Sequence, residues 1–139
     1  MPSPKRVVID TNLLVRYLTQ DDPEKADAVE ALLDKAGSGE VTILIPPIVI
    51  AELVWVLESF YKLEAVAVSG LVESILNTPG LEVNEKEILF TICRTYREKK
   101  IDFIDAWIME FAKENSIDTI YSFDKKHFRG LKDIVVRQP

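Results

Sequence analysis

Four carboxylates of this chain stand where apolar segments end or are interrupted, and such side chains need a charge partner. Asp10 and Asp124 each follow an apolar run that is typical of a buried strand. Glu52 and Asp105 lie inside apolar stretches with helical spacing. An unpaired carboxylate is costly to bury, so we expect each to meet a cation or hydrogen-bond donors.

The two aspartates at strand ends have both a functional and a structural interpretation. Open α/β sheets bind ligands at the carboxyl ends of their strands, which favours a site role for Asp10 and Asp124. Asp is also a preferred helix N-cap, and Thr11 and Asn12, which follow Asp10, favour caps as well. For Asp10 the two roles are compatible, and for Asp124 the cap is an equally open alternative.

The two acids inside predicted helices differ in how well structure alone explains them. Glu52 has no Lys or Arg three or four residues away, so no local ion pair explains it. Asp102 is a good N-cap for the helix that contains Asp105. Asp105 has an alternative as a surface charge near the helix N-terminus, worth under ~1 kcal/mol. Its apolar neighbours Ile104 and Ala106 favour a functional role instead.

The elements that must position these acids alternate between strands and helices. We expect strands at 7–9, 41–45, 81–83, 117–123 and 134–136, and helices at 13–18, 22–37, 47–61, 64–76, from Asn84 to about 99, and 103–115. This order predicts an α/β fold, with a parallel β-sheet of four to five strands flanked by helices on both faces in three α/β/α layers. A chain of 139 residues has the size of one domain, so we expect residues 1–139 to form it.

Composition narrows the function classes. The chain has 23 Asp and Glu against 17 Lys and Arg, and a net charge of −6 ordinarily argues against a nucleic-acid partner. Divalent cations bound by clustered acids would reverse that sign locally. No stretch approaches the roughly 20 apolar residues that span a bilayer, and no signal-peptide core precedes the first strand, so we expect a cytoplasmic protein with no membrane partner.

The order of the acidic motifs resembles that of PIN domains. The motifs are Asp-Thr-Asn at 10–12 after the first strand, Glu52 in a long apolar helix, Asp-x-x-Asp-Ala at 102–106, and Ser-x-Asp at 122–124. The resemblance runs from Val7 to about Val136 and is greatest to the VapC-type toxin ribonucleases. The individual motifs are short, so their order and spacing carry the likeness.

The resemblance implies a Mg²⁺- or Mn²⁺-dependent endoribonuclease that uses one or two ions. It implies that Asp10, Glu52, Asp105 and Asp124 are the catalytic and metal-binding acids, and that Thr11, Asn12, Ser122 and Asp102 support them. Donor chemistry agrees, because Mg²⁺ prefers oxygen ligands and an acidic cluster with few His or Cys disfavours zinc. The resemblance further implies an RNA substrate, a small antitoxin protein as partner, and a homodimer.

Basic residues near two of the acids could contact RNA phosphates. Arg16 follows Asp10 on the same predicted helix, and the others are Lys125, Lys126, His127 and Arg129. Solvated loop charges are an equally good interpretation. His127 is more plausible as a loop or phosphate-contacting residue than as a general base, because metal-activated water removes the need for one.

Several rival functions remain open. A PIN-type RNA-processing nuclease would need no antitoxin. A phosphotransferase of the haloacid-dehalogenase type would place a second acid two residues after Asp10, where this chain has Asn12, and a receiver domain would need paired acids where Arg6 stands. A non-catalytic metal-binding interaction module would use the acids as caps and the apolar helix for assembly.

Overall fold

The computed structural model describes residues 3–124, 128 and 132–139. The strands are β1 (Lys5–Val8), β2 (Val41–Ile45), β3 (Leu81–Val83), β4 (Thr119–Tyr121) and β5 (Val135–Arg137). The helices are α1 (Thr11–Thr19), α2 (Pro23–Gly37), α3 (Pro47–Ser59), α4 (Ala65–Leu76), α5 (Lys86–Lys99) and α6 (Phe103–Glu114). The chain divides into two compact units, Met1–Lys86 and Glu87–Pro139, and each is described by itself.

A parallel three-stranded sheet forms the centre of the first unit. Its order is β1-β2-β3, and the register pairs Val7 with Ile43 and Ile43 with Leu81. Only β2 has a neighbour on both sides, and its Ile43 and Ile45 are buried. Parallel strands need crossover connections, which α1 and α2 provide between β1 and β2, and α3 and α4 between β2 and β3.

Local signals in the sequence set the helix starts of this unit. The side chain of Asp22 accepts a hydrogen bond from the backbone N–H of Lys25, and Pro23 occupies the first turn of α2, as expected of a capped helix start. Pro47 opens α3, which buries Ile50, Leu53 and Leu57 completely. The predicted starts of both helices are therefore confirmed, and α3 ends at Ser59 rather than Tyr61.

Gly80 lies so close to the backbone of Ala36 that no side chain fits at this position. Its φ is +85°, which favours glycine, and a Cβ there would lie 2.3 Å from the carbonyl oxygen of Ala36. Gly39 has nearly the same backbone conformation, with φ +86°, but a Cβ would meet nothing within 4 Å. The turn before β3 is thus packed directly against the end of α2.

The second unit contains α5, α6 and the parallel pair β4-β5. Met109 and Ala112 of α6 pack with Ile120 of β4 in one buried cluster, together with Phe128 and Ile134. Along the two helices, Tyr96, Phe103 and Trp107 form successive edge-to-face contacts, with centroid distances of 5.3 and 5.8 Å. These contacts hold the start of α6, where Asp102 and Asp105 lie.

The α/β prediction is confirmed, with five strands paired in parallel among the described residues. One premise is wrong, because neither strand that precedes an aspartate is buried throughout. Among the described strands, β1 is one of the two edge strands of the three-stranded sheet and Val8 is 67% exposed, while β4 has only Ile120 buried. Among the described residues, no helix is both long and apolar enough to cross a membrane. The single-domain organisation and the cytoplasmic location stay predictions.

Candidate active site

Asp10 stands at the N-terminus of α1 as its cap. Its Oδ1 accepts a hydrogen bond from the backbone N–H of Thr11 at 2.7 Å, and Thr11 itself is buried. The structural alternative for Asp10 is therefore confirmed. The second carboxylate oxygen of a capping Asp stays available to a ligand, so capping and a site role are compatible.

Glu52 lies on the exposed side of α3, so the premise that it is buried is wrong. It shares this side with Ile48 and Trp55, which are 75% and 65% exposed, whereas Leu53 faces the core. Glu52 makes no hydrogen bond or ion pair within the described part of the chain. A helix that is apolar nearly all round does not show in its sequence which side meets solvent.

Asp10 and Glu52 line the same cavity, which has a volume of about 470 Å³. The other residues that line it come from α1, from the turn after it, and from α3 and the segment that follows: Thr11, Asn12, Val15, Arg16, Asp21, Val56, Phe60 and Tyr61. Five residues of the predicted site, Asp10, Thr11, Asn12, Arg16 and Glu52, thus line one cavity of the first unit, and their roles stay predictions. We call this space the acidic cavity.

The donors of the acidic cavity are of the type that a hard divalent cation prefers. Carboxylates of Asp10 and Glu52, the hydroxyl of Thr11 and the amide of Asn12 all offer oxygen, and no His or Cys is among the described residues that line this cavity. Oxygen ligands suit Mg²⁺ and Mn²⁺ rather than zinc or copper. The residues therefore fit the predicted ion by donor chemistry.

A hydrogen-bonded group of three side chains forms one wall of the acidic cavity. Arg16 Nη1 lies 2.9 Å from Asp21 Oδ2, and the hydroxyl of Tyr61 donates to the same oxygen at 2.5 Å. The Tyr61 hydrogen bond, followed by that from Arg16, lowers the pKa of Asp21. The hydrogen bond and charge of Asp21 raise the pKa of Arg16 in turn.

Two predicted acids lie in the first turn of α6, within the second unit. Asp102 caps the helix, and its Oδ2 accepts from the backbone N–H of Ile104 at 3.1 Å, which confirms its predicted cap. Asp105 is 9% exposed. Its burial rules out the alternative of a weak surface charge near the helix end, because solvent screening no longer applies to a buried carboxylate.

Ser122 and Asp124 form a tight turn after β4. Ser122 Oγ accepts a hydrogen bond from the backbone N–H of Asp124 at 3.0 Å, so the hydroxyl fixes the backbone that carries this aspartate. Gln138 supports the same segment through the carbonyl of Phe123. The supporting role of Ser122 at a metal site stays a prediction. The remaining predicted phosphate contacts, at 125, 126, 127 and 129, lie outside the described residues.

Within each unit, no three Asp, Glu, His or Cys side chains among the described residues form a group arranged to hold a metal ion. The predicted metal site of four acids therefore stays a prediction. Asp21 and Tyr61, by contrast, were not foreseen. Asp21 lies five residues after Arg16, which is no helical spacing, and Tyr61 is forty residues further on, so sequence offered no signal for their contact.

Comparison with known proteins decides the family. The model of the PIN domain matches residues 7–133. The chain belongs to the PIN domain family. Because the match covers residues 7–133, it includes all four predicted acids. Family membership and the parallel strands confirm the expected three-layer α/β/α class.

Two curated relatives resemble this PIN domain over nearly its whole length. A VapC ribonuclease of Aquifex aeolicus is 28% identical, covering 91% of this chain and 94% of the relative. Ribonuclease VapC26 of Mycobacterium tuberculosis is 26% identical, covering 92% and 93%. The predicted resemblance to VapC-type proteins is thus confirmed. A solved toxin-antitoxin complex from Klebsiella pneumoniae also aligns, at 20% identity and a TM-score of 0.34, covering 94% of this chain and 96% of that one.

Proposed function

We propose that this PIN domain is a Mg²⁺- or Mn²⁺-dependent endoribonuclease that hydrolyses RNA phosphodiester bonds. The observation that carries the proposal is the acidic cavity, which is lined by the carboxylates of Asp10 and Glu52 and by the oxygen-bearing side chains of Thr11 and Asn12. Family membership supports it, as do two relatives that are named as ribonucleases.

The proposed metal ligands are Asp10, Glu52, Asp105 and Asp124. In the first unit, donor chemistry and the shared cavity support Asp10 and Glu52. In the second, burial supports Asp105, and the turn built by Ser122 supports Asp124. A divalent ion, if held by these acids, would supply positive charge near the scissile phosphate and would lower the pKa of a bound water.

The protein groups contribute binding and orientation. The cap hydrogen bond from Thr11 fixes the Asp10 carboxylate at the start of α1. Arg16, on the next turn of the same helix, presents a guanidinium to the cavity, and a guanidinium contacts phosphate oxygens through its fork of N–H donors. The chain carries a net charge of −6, so such local cations matter for drawing in an anionic substrate.

We further propose that the nuclease acts as the toxin of a toxin-antitoxin pair, with a small antitoxin as partner and a homodimer as its assembly. The names of the VapC relatives support the role as a toxin with an antitoxin partner. Exposed apolar side chains support a protein partner, because α3 leaves Ile48 and Trp55 open and α6 leaves Ile104, Ile108 and Phe111 open. Growth arrest on expression, relieved by the product of a neighbouring gene, would distinguish a toxin from an RNA-processing nuclease.

The activity test uses the purified protein, a mixed RNA substrate and added Mg²⁺ or Mn²⁺. We expect cleavage that stops on chelation and returns when the ion is restored. A parallel assay with p-nitrophenyl phosphate addresses the phosphotransferase rival. Turnover of that compound without RNA cleavage would overturn the ribonuclease proposal, and inactivity toward both would favour an interaction module.

A further inference from the structure

Asp21 is an acid in the acidic cavity, yet its known contacts are with a cation and a hydroxyl rather than with the proposed metal ligands. Its Oδ2 accepts from both Arg16 and Tyr61. An acid that is already satisfied by two donors is a poor candidate for a metal ligand. Its position calls for another explanation.

The backbone is shaped to bring Asp21 to Arg16. Helix α1 ends at Thr19, and Gln20 adopts the left-handed conformation with φ 57° while its N–H bonds to the carbonyl of Arg16. This C-cap reverses the chain direction, so the next residue, Asp21, folds back beside the Arg16 side chain. Tyr61 reaches the same carboxylate from beyond the end of α3.

Arg16 lines two cavities, and the orientation of its guanidinium decides which of the two the positive charge faces. Besides the acidic cavity, it lines an adjoining cavity of about 370 Å³ that is walled mainly by apolar residues of α1 and α2, such as Leu13, Val29 and Leu32. Asp21 and Tyr61 line only the acidic cavity. Their hydrogen bonds therefore hold the guanidinium on the acidic side.

We propose that Asp21 and Tyr61 are positioning residues, which hold the Arg16 guanidinium toward the acidic cavity so that it can contact a phosphate of the RNA substrate. This inference rests on the proposed ribonuclease function. Asp21 binds one guanidinium nitrogen, Nη1, and leaves other N–H donors for a phosphate. A guanidinium that is already held loses less freedom when the phosphate binds, so the phosphate is bound more tightly.

The experiment measures kcat and KM for RNA cleavage in single and double variants. We expect Asp21→Asn to lower kcat/KM about tenfold, as loss of a supporting contact commonly does, and Tyr61→Phe to lower it about threefold. In an Arg16→Ala background neither change should lower it further, because nothing remains to be positioned. The matched control is Asp22→Asn, which keeps the cap of α2 and should match wild type.

Affinity for Mn²⁺ separates positioning from metal binding. It should be the same in Asp21→Asn and wild type. A tenfold loss of Mn²⁺ affinity in that variant would overturn the inference, and so would equal losses of kcat/KM with and without Arg16. If wild type cleaves RNA and both Asp21→Asn and Tyr61→Phe match it, only the positioning role fails. If wild type does not cleave RNA, the proposed function fails and the positioning role falls with it.

Discussion

Asp10 and Glu52 line one cavity, although Asp10 caps α1 and Glu52 stands in the middle of α3. The two side chains differ in what holds them. Asp10 is fixed by a hydrogen bond from the backbone, whereas Glu52 is exposed and has no partner among the described residues. Substitutions at these positions should therefore affect stability and activity in different proportions.

Asp10→Asn and Asp10→Ala separate the cap from the site. Asn caps a helix about as well as Asp, while Ala loses roughly 1 kcal/mol of stability. We expect Asp10→Asn to leave the free energy of unfolding within about 0.5 kcal/mol of wild type and Asp10→Ala to lower it. Both should reduce RNA cleavage at least about a hundredfold, since a few kcal/mol of lost charge stabilisation corresponds to that factor. Urea unfolding and a cleavage assay provide the measurements.

An Asp10→Asn protein that is folded and fully active would show that Asp10 is only a cap. If the loss of cleavage in Asp10→Asn and Asp10→Ala only follows their loss of folding stability, Asp10 is likewise only a cap.

Glu52→Gln should abolish cleavage without destabilising the fold. An exposed carboxylate with no partner in the described structure contributes little to stability, so we expect a change within about 0.5 kcal/mol. The matched control is Glu30→Gln on α2, which removes a similarly exposed acid away from the cavity. Cleavage rates and thermal unfolding of both variants test the prediction. Equal activity of the two variants would remove Glu52 from the site.

Local signals made much of this fold predictable. Asp22 with Pro23 and Asp102 before Phe103 mark helix starts by side-chain chemistry that acts within a few residues. The parallel sheet followed from the alternation of apolar runs and helical periods. The exposure of Glu52 was not predictable in this way, because α3 is apolar nearly all round and only tertiary packing selects its buried side.

The Asp21 carboxylate should make stability depend on pH in the acidic range. Tyr61 and then Arg16 lower its pKa below the ordinary value of 3.8. A depressed folded-state pKa gives stability that is present above the ordinary value and is lost as the pH falls through the folded-state pKa. The difference in unfolding midpoint between wild type and Asp21→Asn should therefore shrink as the pH falls below about 4.

The measurement is thermal unfolding of both proteins at a series of pH values, with Asp22→Asn as the control. Tyr61→Phe should move the carboxylate titration of Asp21, followed by NMR, toward its ordinary position. A titration of Asp21 at the ordinary value in wild type would contradict the described hydrogen bonds.

Gly80→Ala should destabilise the first unit more than Gly39→Ala. The two glycines share a positive φ, so each substitution carries a backbone strain of about 1 kcal/mol. Only at Gly80 would the new Cβ also meet the backbone of Ala36, at 2.3 Å. We expect a further loss of about 1–3 kcal/mol there, by analogy with overpacked cores. Urea unfolding of the two variants measures it, and equal losses would contradict the close approach.

Residues of the candidate site were predictable only where an acidic side chain stands out from its neighbours in the sequence. Asp10, Glu52, Asp105 and Asp124 stand out because each interrupts or ends an apolar segment. The contact of Tyr61 with Asp21 joins side chains forty residues apart, and neither stands in an unusual sequence context. Such contacts arise from the packing of α3 beside α1 and leave no local trace.

Calorimetric titration with Mn²⁺ in the absence of RNA tests the central claim most directly, because it asks whether the acids hold an ion. We predict saturable binding to wild type and to the control Asp34→Asn, an exposed acid of α2. Binding should weaken at least about tenfold in Asp10→Asn and in Asp105→Asn. Absence of Mn²⁺ binding to wild type, or the same affinity in all four proteins, would contradict the acidic metal site.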